Sequence, residues 1–209
     1  MKYRLVIFDF DGTLADSLPW ATNIINNLAE KFQFRPVHNS EHTLLRNYDA
    51  AKLFKHLGLP LWKVPLIGNH VRKLMAENIA DVPLFDGVAE LLRNLSQQKV
   101  CLAIVSSNSI ENVQRILGAE LAALIDHFEC GVTLFGKGQK LRKVLHKSRI
   151  HPGEAIYIGD EIRDIEAANH IGISSGAVSW GYNSIESLIN HHPTILFHSI
   201  AEIADTIPA

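Results

Sequence analysis

The sequence predicts an α/β fold: a doubly wound, Rossmann-like parallel sheet with a small α-helical domain inserted near its start. Three observations carry this. Short apolar runs recur along the chain, each too short for a helix and several rich in β-branched residues, as buried parallel strands are. Stretches with apolar residues at helical spacing fall between them, and strands alternating with helices specify a parallel sheet. Between the first run and the second, residues 16–83 show helical stripes and no convincing strand. That stretch is the insertion, and residues 1–15 and 84–209 make the core.

The first strand is Leu5 to Phe8, and the chain leaves it through Asp9-Phe10-Asp11-Gly12-Thr13-Leu14. In the insertion, Pro19 suits a first helical position, with Trp20, Ile24 and Leu28 on one face. A second stripe is Ala50, Leu53, Phe54 and Leu57, stopped by Gly58 and Pro60; a third is Ile67, Val71, Leu74 and Met75. Asp86 is placed to cap a helix bearing Val88, Leu91, Leu92 and Leu95. Residues 100–105 form the second strand, closing on Ser106-Ser107-Asn108-Ser109. A helix with Ile110, Val113, Ile116 and Leu117 inward ends at Gly118. A weaker strand lies in 128–135, before Gly136-Lys137-Gly138 and a helix marked by Leu141, Val144 and Leu145. Residues 155–158 are the fourth strand, ending in Gly159-Asp160; a helix through Ile162, Ile165 and Ala168 stops near Gly172. Residues 173–178 and 195–197 are the last strands.

The bulk numbers narrow the function. A net charge of −2 implies no polyanion-binding surface, so nucleic acid is not an expected partner. The apolar run before Asp9 is shorter than the roughly 7–15 residues of a signal-peptide core. No run approaches the ~20 apolar residues of a membrane span. Cys101 and Cys130 are the only cysteines and make no disulfide framework; they read as buried, reduced thiols, which fits a cytoplasmic protein. The eleven histidines are scattered and predict no histidine metal site.

Polar residues close four of these segments: Asp9 with Asp11, Ser106, Lys137, and Asp160 with Asp164. Parallel strands end on one sheet edge, where ligands of open α/β sheets bind, so the four groups converge there. Asp9 and Asp11 are two apart, the spacing that puts side chains on one side of an extended chain, with Phe10 turned into protein. Two acids aimed into one crevice call for a cation or a shared proton.

The constellation resembles the four-motif set of the haloacid dehalogenase superfamily, nearest its phosphoglycolate-phosphatase-like branch. Motif one is Asp9-Phe10-Asp11-Gly12-Thr13, continued by Ala15-Asp16-Ser17. Motif two is Ser106, and motif three is Lys137, with Lys140 a rival in the same stretch. Motif four, G-D-x-x-x-D, is Gly159-Asp160-Glu161-Ile162-Arg163-Asp164. The resemblance implies that the insertion is a type-1 helical cap. It implies Mg²⁺-dependent hydrolysis of a small phosphorylated metabolite through an aspartyl phosphate. Asp9 is then the nucleophile and Asp11 the acid/base. The metal ligands are the Asp9 side chain, the Asp11 backbone carbonyl and Asp160, with Asp164 acting directly or through a water. Ser106 and Lys137 hold the phosphoryl oxygens, helped by Ser107 and Asn108. The dehalogenases of the superfamily lack the second acid, so Asp11 favours phosphate chemistry.

Two alternatives stay open: a phosphomutase of the β-phosphoglucomutase type, which shares all four motifs, and a phospho-receiver-type signalling module. Receivers lack an acid two residues past the acceptor and a cap inserted after it. A closing cap is expected to leave room for little beyond a phosphate and a small organic group. The sequence is compatible with a monomer or a homodimer. Arg46 is a candidate for meeting a substrate anion, and Trp180-Gly181-Tyr182 for lining the entrance, with core packing the alternative for Trp180.

Overall fold

In the computed structural model, residues 3–131 and 136–207 are described. Six strands form one sheet: β1 (Leu5–Phe8), β2 (Cys101–Val105), β3 (His127–Glu129), β4 (Ala155–Gly159), β5 (Ser174–Val178) and β6 (Ile195–Phe197). Their order is β3-β2-β1-β4-β5-β6 and every pairing is parallel. The order reverses at β1, the switch point where an open α/β sheet forms its crevice. β1 lies between β2 and β4, with Phe8 opposite both Ile104 and Ile158. One or two residues beyond that register lie Asp9, Ser106 and Asp160, so the chain's polar strand ends meet by register alone.

Side chains alternate between the two sheet faces, as the pleat demands. Val6, Phe8, Leu102, Ile104, Ile156 and Ile158 face one apolar cluster. Helices α5 (Val88–Gln97), α6 (Ile110–Ala122) and α10 (Ile200–Thr206) close it. Leu5, Ile7, Ala103, Val105 and Tyr157 face the other, under α7 (Lys137–Ser148) and α8 (Ile162–Ile171). The short α9 (Ile185–Ile189) packs Leu188 against Ile165 and Ala177. The result is the three-layer, doubly wound core that the alternating pattern predicts.

Between β1 and α5 the chain forms α1 (Leu18–Phe32), α2 (His42–Leu45), α3 (Ala50–His56) and α4 (Val64–Glu77), joined by short 3₁₀ turns. A small apolar cluster around Val37, Leu57 and Leu59 holds them together. Trp20 and Met75 belong instead to the core's cluster and tie the helices down. The two crossing segments run side by side: Asp16 N–H donates to the Pro83 carbonyl and Phe85 N–H to that of Leu14, 2.8 and 2.9 Å.

Four expectations need correction. Asp86 is exposed and does not cap α5; Gly87, at φ +87°, is the N-cap, because the chain turns from Phe85 to Val88 one residue later than the acid. Gly118 breaks the helical dihedrals of α6, but the helix resumes to Ala122. The third strand is three residues, His127–Glu129; residues 132–135 of the expected strand lie outside those described. Cys101 and Cys130 are free but only half-buried, each thiol pushed up to about 12 by burial.

Candidate active site

The site is built at the carboxyl ends of β1, β2 and β4. Asp9 follows β1 and is almost wholly buried. Its Oδ1 accepts from the Phe10 N–H at 2.8 Å, and its Oδ2 from Lys137 Nζ at 2.5 Å. Lys137 is the first residue of α7, and that helix start delivers its buried ammonium between Asp9 and Asp164, with which it also pairs. Lys140 points elsewhere, to Glu129 at 3.1 Å.

Asp164 lies in the first turn of α8 and takes part in a capping box: its Oδ2 accepts from the Glu161 N–H at 3.0 Å. Tyr157, inward from β4, donates to its Oδ1 at 2.9 Å. Asp160 accepts from Thr13 Oγ1 at 2.7 Å and from the Tyr182 N–H at 2.8 Å. Glycine is required around it. A Cβ on Gly12, which is at φ +77°, or on Gly181 would overlap the Asp160 side chain.

Oxygens of Asp9, Asp160 and Asp164 all lie within 4.8 Å of one another, and all three residues are buried. One ammonium faces them, so the cluster is two charges short of neutral. The carboxyl groups respond accordingly. Burial raises Asp9 to about 7, with Lys137 opposing and Asp164 adding to the rise. Burial, then Glu161, Asp9 and Asp164, pushes Asp160 well above the usual carboxylate range. Burial and Arg163 pull Lys137 down, but Asp164 and Asp9 more than reverse this, so it keeps its charge. A set of hard oxygen donors lacking two positive charges fits a divalent cation such as Mg²⁺.

Asp11 does not join this cluster, although the spacing puts it on the same side of the chain as Asp9. The strand ends at Phe8, and Asp11 lies in the turn that follows, where its carboxylate accepts from Asn108 Nδ2 at 3.1 and 3.3 Å. Burial raises it to about 6, against the Asn108 and Ser17 hydrogen bonds. Phe10 between the two acids is fully buried, as the alternation predicts. Ser106 is buried, and its Oγ accepts from the Asn108 N–H at 3.0 Å. Ser107 offers its carbonyl to Arg72 of α4 at 3.0 Å.

Arg46 lines the cavity beside the site, with Nε and Nη2 donating to the carbonyls of Tyr182 and Gly181, 3.2 and 2.8 Å. Trp180 packs edge-on against Phe85 and donates to the Thr13 carbonyl at 3.2 Å, so it braces the crossing segments. A cavity of about 740 Å³ opens from Asp11, Ser107 and Asn108 into the helical insertion. It is far larger than the space expected for a phosphate and a small organic group. The hydrogen bonds of Thr13 and Tyr157 were not anticipated: Thr13 lies inside motif one and was legible there, whereas Tyr157 reads as one more apolar position of β4. Tyr182, expected with Trp180 at the entrance, lines the cavity.

The fold, the groups at the ends of β1, β2 and β4 with Lys137 of α7, and the acidic cluster define a hydrolase class. The haloacid dehalogenase-like hydrolase family model matches residues 6–178, and the chain belongs to that family. Within it the chain falls in the phosphoglycolate-phosphatase-like branch of phosphoric monoester hydrolases. It is 32% identical to a phosphoglycolate phosphatase of Synechococcus elongatus, over 98% of this chain and 97% of that one. A tyrosine-protein kinase, PtkA, of Mycobacterium tuberculosis is 28% identical over 94% of this chain and 69% of its own length. A haloacid dehalogenase-like hydrolase from Streptococcus pneumoniae has the same fold, with TM-score 0.78 at 22% identity over 98% of both chains. No helix among the described residues is long and apolar enough to cross a membrane.

Proposed function

We propose that the protein is a Mg²⁺-dependent phosphatase that hydrolyses a small phosphomonoester through an aspartyl phosphate on Asp9. The observation that carries this is the buried cluster of Asp9, Asp160 and Asp164 facing a single ammonium. Asp9, Asp160 and Asp164 would hold the ion together with the Asp11 carbonyl. When bound, it supplies the missing positive charge, easing the approach of a phosphate to an acidic site.

The chain's own residues then divide the chemistry. Asp9 attacks phosphorus in line, and the bond to the leaving oxygen breaks. Asp11 gives its proton to that oxygen as an alcohol leaves. In the second half, Asp11 takes a proton from the water that attacks the phosphoryl group on Asp9. A carboxyl held near 6, apart from the cluster, suits both directions of transfer near neutral pH. Lys137 and Ser106 steady the phosphoryl oxygens, with Ser107 and Asn108 at the same edge; Lys140, bound to Glu129, takes no part.

Residues 16–83 act as the cap over a core of 1–15 and 84–209, in a cytoplasmic monomer or homodimer. The kinase name of one relative raises a protein substrate. Asp11, however, faces a cavity walled by the helical insertion, which suits a small molecule.

Initial rates of the purified protein on a panel of phosphomonoesters test the reading. Activity is expected with Mg²⁺, none after chelation, and none with Ca²⁺, whose looser, higher coordination spoils in-line placement. Activity unchanged by chelation overturns the metal assignment. Dependence on an added sugar bisphosphate identifies a mutase instead.

A further inference from the structure

The cavity above Asp11 has a volume of about 740 Å³, within the roughly 300–1,000 Å³ of sites that enclose a drug-sized ligand. A two-carbon phosphate ester fills a small part of that. The wall inside the insertion is mainly apolar: Trp20 and Ile25 from α1, Phe54 from α3, Val71 and Met75 from α4.

The polar groups at its mouth are largely engaged. Arg46 donates to the Gly181 and Tyr182 carbonyls. Arg72 donates to the Ser107 carbonyl and to Asn69. Arg163 pairs through Nη2 with Glu161 at 2.5 Å. Every guanidinium in the wall is thus tethered to the protein.

From the cavity's size and apolar lining, we propose that the substrate is a phosphomonoester of an apolar alcohol. Its hydrocarbon body occupies the cavity in the insertion. The proposal rests on the phosphatase reading and names its substrate class. The same cavity contains Asp11 at one end and the apolar helices at the other. An ester whose leaving oxygen meets Asp11 therefore directs its organic half into the apolar space.

Ethyl, butyl and hexyl phosphate share a leaving group of nearly constant basicity, so chain length isolates burial from chemistry. A fully buried methylene is worth about fourfold in binding. With Mg²⁺, kcat/KM is expected to rise at least about tenfold from ethyl to hexyl phosphate, and hexyl phosphate to exceed 2-phosphoglycolate. Ala21→Phe, which fills part of the cavity, should collapse the hexyl-to-ethyl ratio. Turnover of the short esters with a flat series, or with 2-phosphoglycolate the best substrate, overturns this proposal and leaves the phosphatase reading intact.

Calorimetry with ethyl- and hexylphosphonate reads the cavity without turnover. Tighter binding of the longer phosphonate by a protein that hydrolyses no ester supports the apolar site and removes the phosphatase reading. Equal binding of the two overturns the proposal.

Discussion

At the residue scale the site separates two acids that are neighbours in sequence. Asp9 is drawn into the cluster with Lys137, while Asp11 is held by Asn108. Asp9→Asn removes the proposed attacking group and should fold normally yet lose at least ~10³-fold in turnover; near-wild-type activity rules Asp9 out as nucleophile. Asp11→Asn should lose most on alkyl phosphates, whose alkoxide needs a proton, and least on nitrophenyl phosphate. Equal losses on both would remove Asp11 as the acid. Gly181 backs directly onto Asp160, so Gly181→Ala must push that carboxylate aside. Half-maximal activity should then need several-fold more Mg²⁺, with a melting curve confirming that the variant folds; an unchanged Mg²⁺ requirement would show that Asp160 tolerates the shift. Asp9, Ser106, Asp160 and their neighbours were legible because strand ends in a parallel sheet share an edge. The different surroundings of Asp9 and Asp11 were not, because the turn after Phe8 ends the alternation on which the spacing argument rests.

At the element scale, one buried acid adds to the apolar packing that holds α7 on the sheet. Glu129 at the end of β3 takes Lys140, Lys143 and Lys147 from successive turns of α7, at 2.8 to 3.1 Å. That clamp lies beyond Lys137 on the same helix and helps to set where its ammonium falls. Burial works to raise the Glu129 pKa, but Lys143, Lys147 and Lys140 outweigh it and hold it down at about 2. A carboxyl lower in the folded than in the unfolded chain contributes stability that is present above about 4.5 and lost as pH falls toward 2. The lysines are partly exposed, so solvent screening leaves on the order of 1 kcal/mol. Urea midpoints should therefore drop between pH 5 and 3 by less in Glu129→Gln than in the wild type. An equal drop in both shows that the clamp contributes nothing. Elements were legible where a pattern had room to repeat. β1, β2, β4 and the helices after them carry uninterrupted apolar runs or several turns of stripe. β3 has three residues, one of them this glutamate, while α9 and α10 offer five and seven residues, too few to show a period.

At the scale of the whole molecule, the insertion is held at its root and at two edges. At the root, Ala15 bridges to Leu84. At one edge, Arg46 bonds to Gly181 and Tyr182, and Asn183 Nδ2 donates to the Arg46 and Tyr48 carbonyls. At the other, Arg72 and Ala76 of α4 meet Ser107, Asn112 and Arg115. These edges are polar contacts beside the packing of Trp20 and Met75 on the core, whereas the root is backbone pairing. Opening should therefore break the edges and pivot on segments 15–17 and 82–85. Hydrogen exchange in residues 18–80 should slow on adding Mg²⁺ with a phosphate mimic. Arg46→Ala, which removes two edge bonds, should speed exchange there in the free protein while strands β1, β2 and β4 stay protected. A uniform rise across the sheet would mean that Arg46 supports global stability instead. The pivot also sets what can be hydrolysed. A substrate that stays attached to a folded chain holds the edges apart and leaves Asp11 open to water. A phosphotyrosine peptide should consequently be hydrolysed at least ~10²-fold less efficiently than the best small ester, the cost of leaving the site unclosed. Comparable kcat/KM for the two would show that the insertion need not close for catalysis.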